Sequence, residues 1–199
     1  METTGVKGLS IVSRCVGIIA EDKSDVEVIE ILITKIRPGR RFSVKYSLGH
    51  GCGRIKSKCR GWARDLSLRK CNFLILIHDL DSADPLKLAA ELSSALKPSP
   101  LDPHVVVIPV REIEAWLLSD PTAIRAGLNL RSTPSRIANP EATLDPKRKL
   151  REIIESRSQG RKVYINAIHN SKIAKHLTLR PLRACNSFLP LEAFCAKHL

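Results

Sequence analysis

Aromatic residues are scarce in this sequence, with two Trp, two Tyr and four Phe among 199 residues. Few flat side chains are on hand to stack on unpaired bases, which weighs against unaided recognition of single-stranded nucleic acid. No run of about 18 or more apolar residues occurs, so no segment reads as a membrane span. Met1 to Ser13 lacks the charged-then-apolar order of a secretory signal, and a cytoplasmic location is expected. The six cysteines (Cys15, Cys52, Cys59, Cys71, Cys185 and Cys195) include no Cys-x-x-Cys pair, which favours reduced thiols over a disulfide framework. His50, Cys52, Cys59 and Cys71 can be imagined as a zinc cluster, but their irregular spacing argues against it. A Walker A sequence is also missing, as are internal repeats and low-complexity runs.

What is abundant is positive charge, and it is unevenly spread. The formal net charge is +13. Residues 37–70 carry eleven Lys/Arg against one acid, Asp65, whereas residues 71–120 carry three basic and eight acidic residues. Residues 145–199 return to twelve basic against four acidic. Two basic regions thus bracket an acidic centre, the arrangement expected of a polyanion-binding protein with a carboxylate metal site. A merely basic, solvated surface is the plainer alternative. At 43% hydrophobic residues the chain can bury a real core, and its length suits one substantial domain with a small appendage.

The acidic centre opens with Asn72-Phe73-Leu-Ile-Leu-Ile77-His78-Asp79-Leu80-Asp81. Phe73 to Ile77 is an apolar run too short for an ordinary helix and reads as a strand buried on both faces. If the strand continues through Asp79 and Asp81, both carboxylates point to one side. Hard oxygen donors at that spacing suit Mg²⁺ or Mn²⁺. The pair is also what an ordinary turn or helix start would contain.

The remaining elements fall around this strand. Cys15 to Ala20 reads as a first strand with Glu21 at its tip, followed by a helix capped by Ser24 or Asp25 and ended by Pro38-Gly39. Arg41 to Tyr46 alternates weakly as a second strand. The loop Gly49-His50-Gly51-Cys52-Gly53 can approach a phosphate closely, and a basic helix follows over residues 54–69. Pro85 suits the first turn of the next helix. His104 to Val110 reads as a fourth strand and Arg111 to Asp120 as a helix, with Trp116 expected in the core. This alternation predicts an α/β fold, a mostly parallel four-stranded sheet with helices on both faces, over residues 1–130. Residues 131–199 are expected to form a helical C-terminal extension packed on it, entered through a Pro- and Ser-rich connector. In such sheets ligands gather at the carboxyl ends of the strands, where Glu21, Asp79, Asp81 and the Glu112/Glu114 pair all fall.

Taken in order, these motifs resemble a known family. Gly17-Ile-Ile-Ala-Glu21-Asp-Lys-Ser-Asp25 after a first strand, with Asp79-Leu-Asp81 after a third, is similar to the TOPRIM catalytic domain. Topoisomerases, bacterial primases, small ribosomal-RNA maturases and overcoming-lysogenization-defect (OLD) nucleases share that domain. The Glu-x-x-x-Asp form, Glu21 with Asp25, resembles the nuclease branch. Arg111-Glu-Ile-Glu-Ala-Trp-Leu-Leu-Ser-Asp120 resembles the signature of a compact TOPRIM-like bacterial family linked to phage defence. The late pattern Lys149 to Tyr164, then Cys185-Asn-Ser-Phe188, fits as well, and the likeness covers roughly residues 15–197. Two positions depart from it: His78 stands where the family has Arg, and the lysine expected after the late tyrosine is absent at Asn166, with Lys172 as its substitute.

The resemblance implies a Mg²⁺- or Mn²⁺-dependent nuclease, DNA being favoured over RNA as substrate, with a separate ATPase partner and a role in phage defence. Glu21, Asp79 and Asp81 would be catalytic and hold the metal, with Asp25 and Glu112 placed to help hold a second ion; Glu114 is the alternative to Glu112. If only one metal binds, Glu21 would act as general base. Arg54, Lys56, Lys58 and Arg60, together with Lys172, would hold the phosphate backbone. A non-catalytic nucleic-acid-binding or regulatory subunit and a small RNA-processing ribonuclease are the alternative readings.

Overall fold

A computed structural model describes residues 14–50, 52–81 and 83–199, without the Cys52 side chain. The expectations placed on residues 1–13, on Gly51 of the glycine-rich loop and on Cys52 as a zinc ligand lie outside these residues. The first apolar run forms strand β1 (Arg14–Ala20), buried at every position after Arg14. Helix α1 (Lys23–Ile36) follows. Strand β2 (Phe42–Leu48) leads to α2 (Cys52–Leu68), β3 (Phe73–Ile77) to α3 (Pro85–Leu96), and β4 (His104–Val107) closes the sheet. The strand order is β2-β1-β3-β4, and all three pairings are parallel. β1 and β3 occupy the interior of the sheet and are covered on both faces, which is why their sequences are almost wholly apolar.

Helices cover the two faces separately. Val26, Ile29 and Ile33 of α1 pack on one side with Val16, Ile18, Ile75 and Ile77. Ile55, Cys59 and Leu66 of α2 and Leu88, Leu92 and Leu96 of α3 cover the other with Ile19, Leu74 and Leu76. β1 connects to β2 on one side and β3 to β4 on the other, with α1 and α3 on opposite faces. The chain therefore parts at the carboxyl tips of β1 and β3, which is where open α/β sheets place a ligand crevice.

Helices α4 (Glu114–Leu118), α5 (Pro121–Leu128), α6 (Pro146–Ser158), α7 (Asn166–His176), α8 (Leu179–Leu182) and α9 (Leu189–His198) contribute to the same core as α1. Trp116 is fully buried, edge-on to Phe188 with ring centroids 5.6 Å apart, and donates its Nε1–H to Ser187 Oγ at 2.8 Å. Gly127 lets α5 meet α7: a Cβ there would stand 2.6 Å from the Lys172 carbonyl oxygen. Ile165 and Ile168, which share the helical pattern of α7, remain about half exposed.

Several local expectations are corrected. The cap of α1 is Asp22, not Ser24 or Asp25; its carboxylate accepts from the Ser24 and Asp25 N–H groups while Asp25 Oδ2 accepts from the Asp22 N–H, a closed capping box. β3 stops at Ile77 and does not run through Asp79 and Asp81, which lie on different backbone geometry, Asp81 having φ 50°. β4 ends at Val107, short of Pro109, which has no N–H for a ladder. The segment after it is not a continuous helix from Arg111. Arg111 takes φ 66° and the helix begins at Glu114. Glu112 therefore precedes the helix and Glu114 opens it.

Candidate carboxylate site

Although β3 has formally ended, its backbone continues to bond with the chain beyond β4. His78, Leu80 and Asp81 donate their N–H groups to the carbonyls of Val107, Pro109 and Arg111 at 3.1, 3.1 and 3.0 Å. This irregular extension carries Asp79 alongside the tip of β1. Asp79 is partly buried, and its carboxyl is held well above the ordinary range by burial first, then by Asp25, Glu114, Glu21 and Glu112. Those neighbours define the site: residues from the β1 tip, the first turn of α1, the β3 tip and the start of α4 share one acidic centre.

Glu21 stands just past the end of β1. Its Oε1 is buried, accepts no hydrogen bond from the described residues, and lies 3.4 Å from His78 Nδ1. His78 is itself buried, with Nδ1 2.7 Å from the Asp79 carbonyl; a carbonyl only accepts, so that nitrogen carries the proton. Burial raises the Glu21 carboxyl, His78 opposes this, and Asp81 adds to it. Asp25 is pushed up to about 8, chiefly by burial and then by Asp22, with Glu114 and Glu21 adding further.

Glu114 forms the floor. Only 1% exposed, it accepts from Tyr164 Oη at 3.0 Å and from Asn170 Nδ2 at 3.2 Å, and Tyr164 also bonds the Asn170 side chain. Burial raises its carboxyl, while Lys147 and Asn170 oppose the rise. The same burial raises the Tyr164 phenol, helped by Glu114, so it stays a donor. Lys147, in the first turn of α6, reaches between the two glutamates. Its Nζ is 3.2 Å from Glu112 Oε1 and 3.9 Å from Glu114 Oε1, and its backbone N–H donates to Glu112 Oε2 at 3.2 Å. Burial lowers the Lys147 ammonium, but Glu114, Glu112 and Asp79 together hold it above its ordinary value.

Six of the residues singled out from sequence thus meet at one edge: Glu21, Asp25, Asp79, Asp81, Glu112 and Glu114. Asp81 is exposed on the rim, lining an open recess with Arg111, Glu112, Leu144 and Asp145. Glu112 is engaged by Lys147 on both oxygens. Arg54, Lys56, Lys58 and Arg60 lie on the solvent side of α2; Lys56 pairs with Glu91 at 2.7 Å and Arg60 Nη1 donates to the Lys97 carbonyl at 3.3 Å. Helix α2 starts beside the site, because the His50 N–H donates to the Glu21 carbonyl at 2.9 Å. Lys172 is elsewhere, lining a separate cavity of about 420 Å³ with Gly127, Lys162 and His169. Lys147, Tyr164 and Asn170 were not assigned to the site from sequence. Pro146 after Asp145 could have marked the start of α6, but nothing local distinguishes Lys147 from its basic neighbours.

The donor set suits a hard divalent cation. All its members are carboxylate oxygens, and Glu21 Oε1 is a buried acceptor to which none of the described residues donates. Among the described residues no three His, Cys, Asp or Glu side chains stand close enough to form a finished cage. The zinc set imagined from His50, Cys59 and Cys71 is therefore not assembled either; both cysteines are free and buried. Mg²⁺ tolerates an open arrangement, since it is held by one or two carboxylates and keeps several waters.

No curated protein matches this chain. A family model, Domain of unknown function (DUF4276), matches residues 19–194. Among solved structures, the C-terminal region of the Burkholderia pseudomallei OLD protein is similar at 13% identity with a TM-score of 0.43, covering 93% of this chain and 100% of that one.

Proposed function

This chain belongs to the DUF4276 family, and within that family we propose that it is a metal-dependent nuclease that cleaves phosphodiester bonds. One observation carries the reading: Glu21, Asp25, Asp79 and Glu114, drawn from four separate elements, form one acidic centre at the crevice between β1 and β3, with Asp25 and Glu114 buried and Glu21 and Asp79 partly buried. Bringing this many carboxylates together out of water is unfavourable unless protons or cations offset their charge; Lys147 pairs with Glu112 and Glu114, and a bound cation would serve the others. The order of motifs that resembles the TOPRIM domain falls at the same edge.

Glu21, Asp79 and Asp81 would hold Mg²⁺ or Mn²⁺, with Asp25 and Glu112 beside a second ion. Such ions polarise a phosphodiester and lower the pKa of bound water. The protein's own contribution is positional. His78 keeps its Nδ1 proton between the Asp79 carbonyl and Glu21. Tyr164 and Asn170 fix the Glu114 carboxylate. Lys147 offsets the charge of Glu112 and Glu114, and α2 carries basic side chains outward from the site to take the substrate backbone. A role in phage defence with a separate ATPase chain is what the TOPRIM resemblance adds. A second reading, a subunit that binds nucleic acid without cutting it, is favoured by the absence of a finished metal cage among the described residues.

Incubation with plasmid DNA and with structured RNA, in Mg²⁺ or Mn²⁺, separates these readings. The nuclease reading expects cutting of one substrate by the wild type and none by the Asp79→Ala, Asp81→Ala double variant. Intact substrates throughout would leave the binding-subunit reading. Cutting of RNA alone would make the protein an RNA-processing enzyme.

A further inference from the structure

A groove of about 840 Å³ lies between the outer face of α2 and the end of α3 with the loop after it. Lys56, Arg60 and Arg64 line it at four-residue intervals along α2, so they share one face of the helix. Lys97, the C-cap of α3, lines the far wall. None of the described residues lining the groove is acidic; Ser57, Ser94 and Ser99 add hydroxyl groups. Gly61 sits among them with open space where its Cβ would be, which leaves the groove unobstructed between the cations. Arg60 is steadied across the gap by its bond to the Lys97 carbonyl at 3.3 Å.

The position of this groove matters as much as its charge. α2 begins next to Glu21, through the His50 bond to the Glu21 carbonyl. Because β2 and β3 are parallel, the helix between them must run back to the other edge of the sheet. The groove residues Arg60, Arg64 and Lys97 therefore lie toward the edge opposite the carboxylates. With 17 residues, α2 is about 25 Å long. At about 3.4 Å per nucleotide along one strand, that length corresponds to roughly seven phosphates.

We infer that the α2–α3 groove is a phosphate-backbone track that extends the carboxylate site, so that full binding needs a nucleic acid long enough to reach from Glu21 to Lys97. This rests on reading the carboxylate site as one that acts on nucleic acid. A single small anion would fill only part of the groove, whereas regularly spaced cations along a helix match a polymer with regularly spaced charge.

The test is binding without metal, so that nothing is cut. Hairpin duplexes of about 6 and about 24 base pairs bracket the expected span. Their affinities are measured by fluorescence anisotropy across a salt series, for wild type and for Arg60→Ser, Arg64→Ser, Lys97→Ser. A charge-matched control, Lys175→Ser, Arg180→Ser, Lys197→Ser, removes exposed cations from the helices on the opposite face. The expected result is a loss of about tenfold or more on the long duplex, with the salt slope shallower by roughly 0.9 for each phosphate no longer neutralised. The short duplex and the control variant should be unaffected. Equal losses on both duplexes, or an equal loss in the control, would overturn the track. Cleavage by a wild type whose binding is unchanged by the groove substitutions would sink the track and leave the nuclease reading standing. The expected binding pattern from a protein that cuts nothing would do the reverse.

Discussion

Asp81 and Arg111 hold each other in place: the Asp81 N–H donates to the Arg111 carbonyl at 3.0 Å, and Arg111 Nη1 donates to the Asp81 carbonyl at 2.9 Å. Both residues adopt left-handed backbone, at φ 50° and 66°. For residues with a Cβ this conformation costs on the order of 1 kcal/mol or more, so the paired bonds offset local strain. The clamp sets where the Asp81 carboxylate stands on the rim. Arg111→Ala should weaken Mn²⁺ binding by about tenfold, the equivalent of one lost hydrogen bond, and lower Tm by a few degrees. Arg111→Gly removes the strain along with the bond, so its Tm should stay near wild type while Mn²⁺ affinity still falls. Calorimetric titration with parallel melting curves checks both; unchanged Mn²⁺ affinity in both variants would show that the clamp does not position a metal ligand.

The acidic centre predicts an inverted pH dependence of stability. Asp25 has an ordinary value of 3.8 and is raised to about 8 in the folded chain. Between those values the folded state binds more protons than the unfolded state, so stability is greatest at low pH and declines as pH rises toward 8. Asp79 and Glu114, also raised by burial, act in the same sense. In EDTA, Tm should therefore fall as pH is raised from mildly acidic to mildly alkaline. Added Mg²⁺ should raise it most at the alkaline end, and Asp25→Asn should raise it there in EDTA. A metal-free Tm that climbs with pH would contradict the burial of these carboxylates.

Lys147 is predicted to matter for folding before it matters for chemistry. Its ammonium is the cation paired with both Glu112 and the buried Glu114. Lys147→Met should destabilise the metal-free protein by about 2 kcal/mol, or roughly 5 °C in a chain of this size. Adding Glu114→Gln, which keeps an acceptor for Tyr164 but drops the charge, should restore most of that loss. Additive losses in this double-mutant cycle would mean the two groups are not coupled.

Gly127 offers a test of the packing that brings α7 to the site. An added methyl group would meet Lys172 and Ile173 backbone atoms at 2.6 to 2.8 Å, where no flexible side chain can yield. Gly127→Ala should cost about 2–3 kcal/mol and lower Tm by about 5–10 °C. A near-normal melting curve would mean that α5 and α7 sit further apart.

What was legible from residue order alone, and what was hidden, divides on physical grounds. Strands β1 and β3 were legible because a strand covered on both faces must be apolar throughout, and Glu21 and Asp79 stood out as the first acids after such runs. Helices α1 and α3 were legible from the residues that bound them, Pro38-Gly39 beyond the end of the first and Pro85 at the start of the second, and Trp116 lies in the core as expected. The cap of α1 is hidden in the sequence because Asp22, Ser24 and Asp25 are all good capping residues, and only the folded turn selects Asp22. The left-handed backbone at Arg111 left no mark, since Arg is a poor signal for positive φ. Lys147 reaches Glu112 across 35 residues and Tyr164 reaches Glu114 across 50. Periodicity carries no information about pairings at that range.

No measurement bears more directly on the metal-dependent reading than the rate of plasmid cleavage in Mn²⁺, compared between wild type and Asp79→Asn. Asp79 lies at the middle of the acidic centre, and the substitution removes its charge with almost no change in shape. Cutting by the wild type should depend on the metal and be abolished by EDTA. In the variant the rate should fall by about a hundredfold or more, equivalent to about 2.7 kcal/mol of lost transition-state stabilisation. Equal rates for the two proteins, or cutting that persists in EDTA, would contradict the assignment.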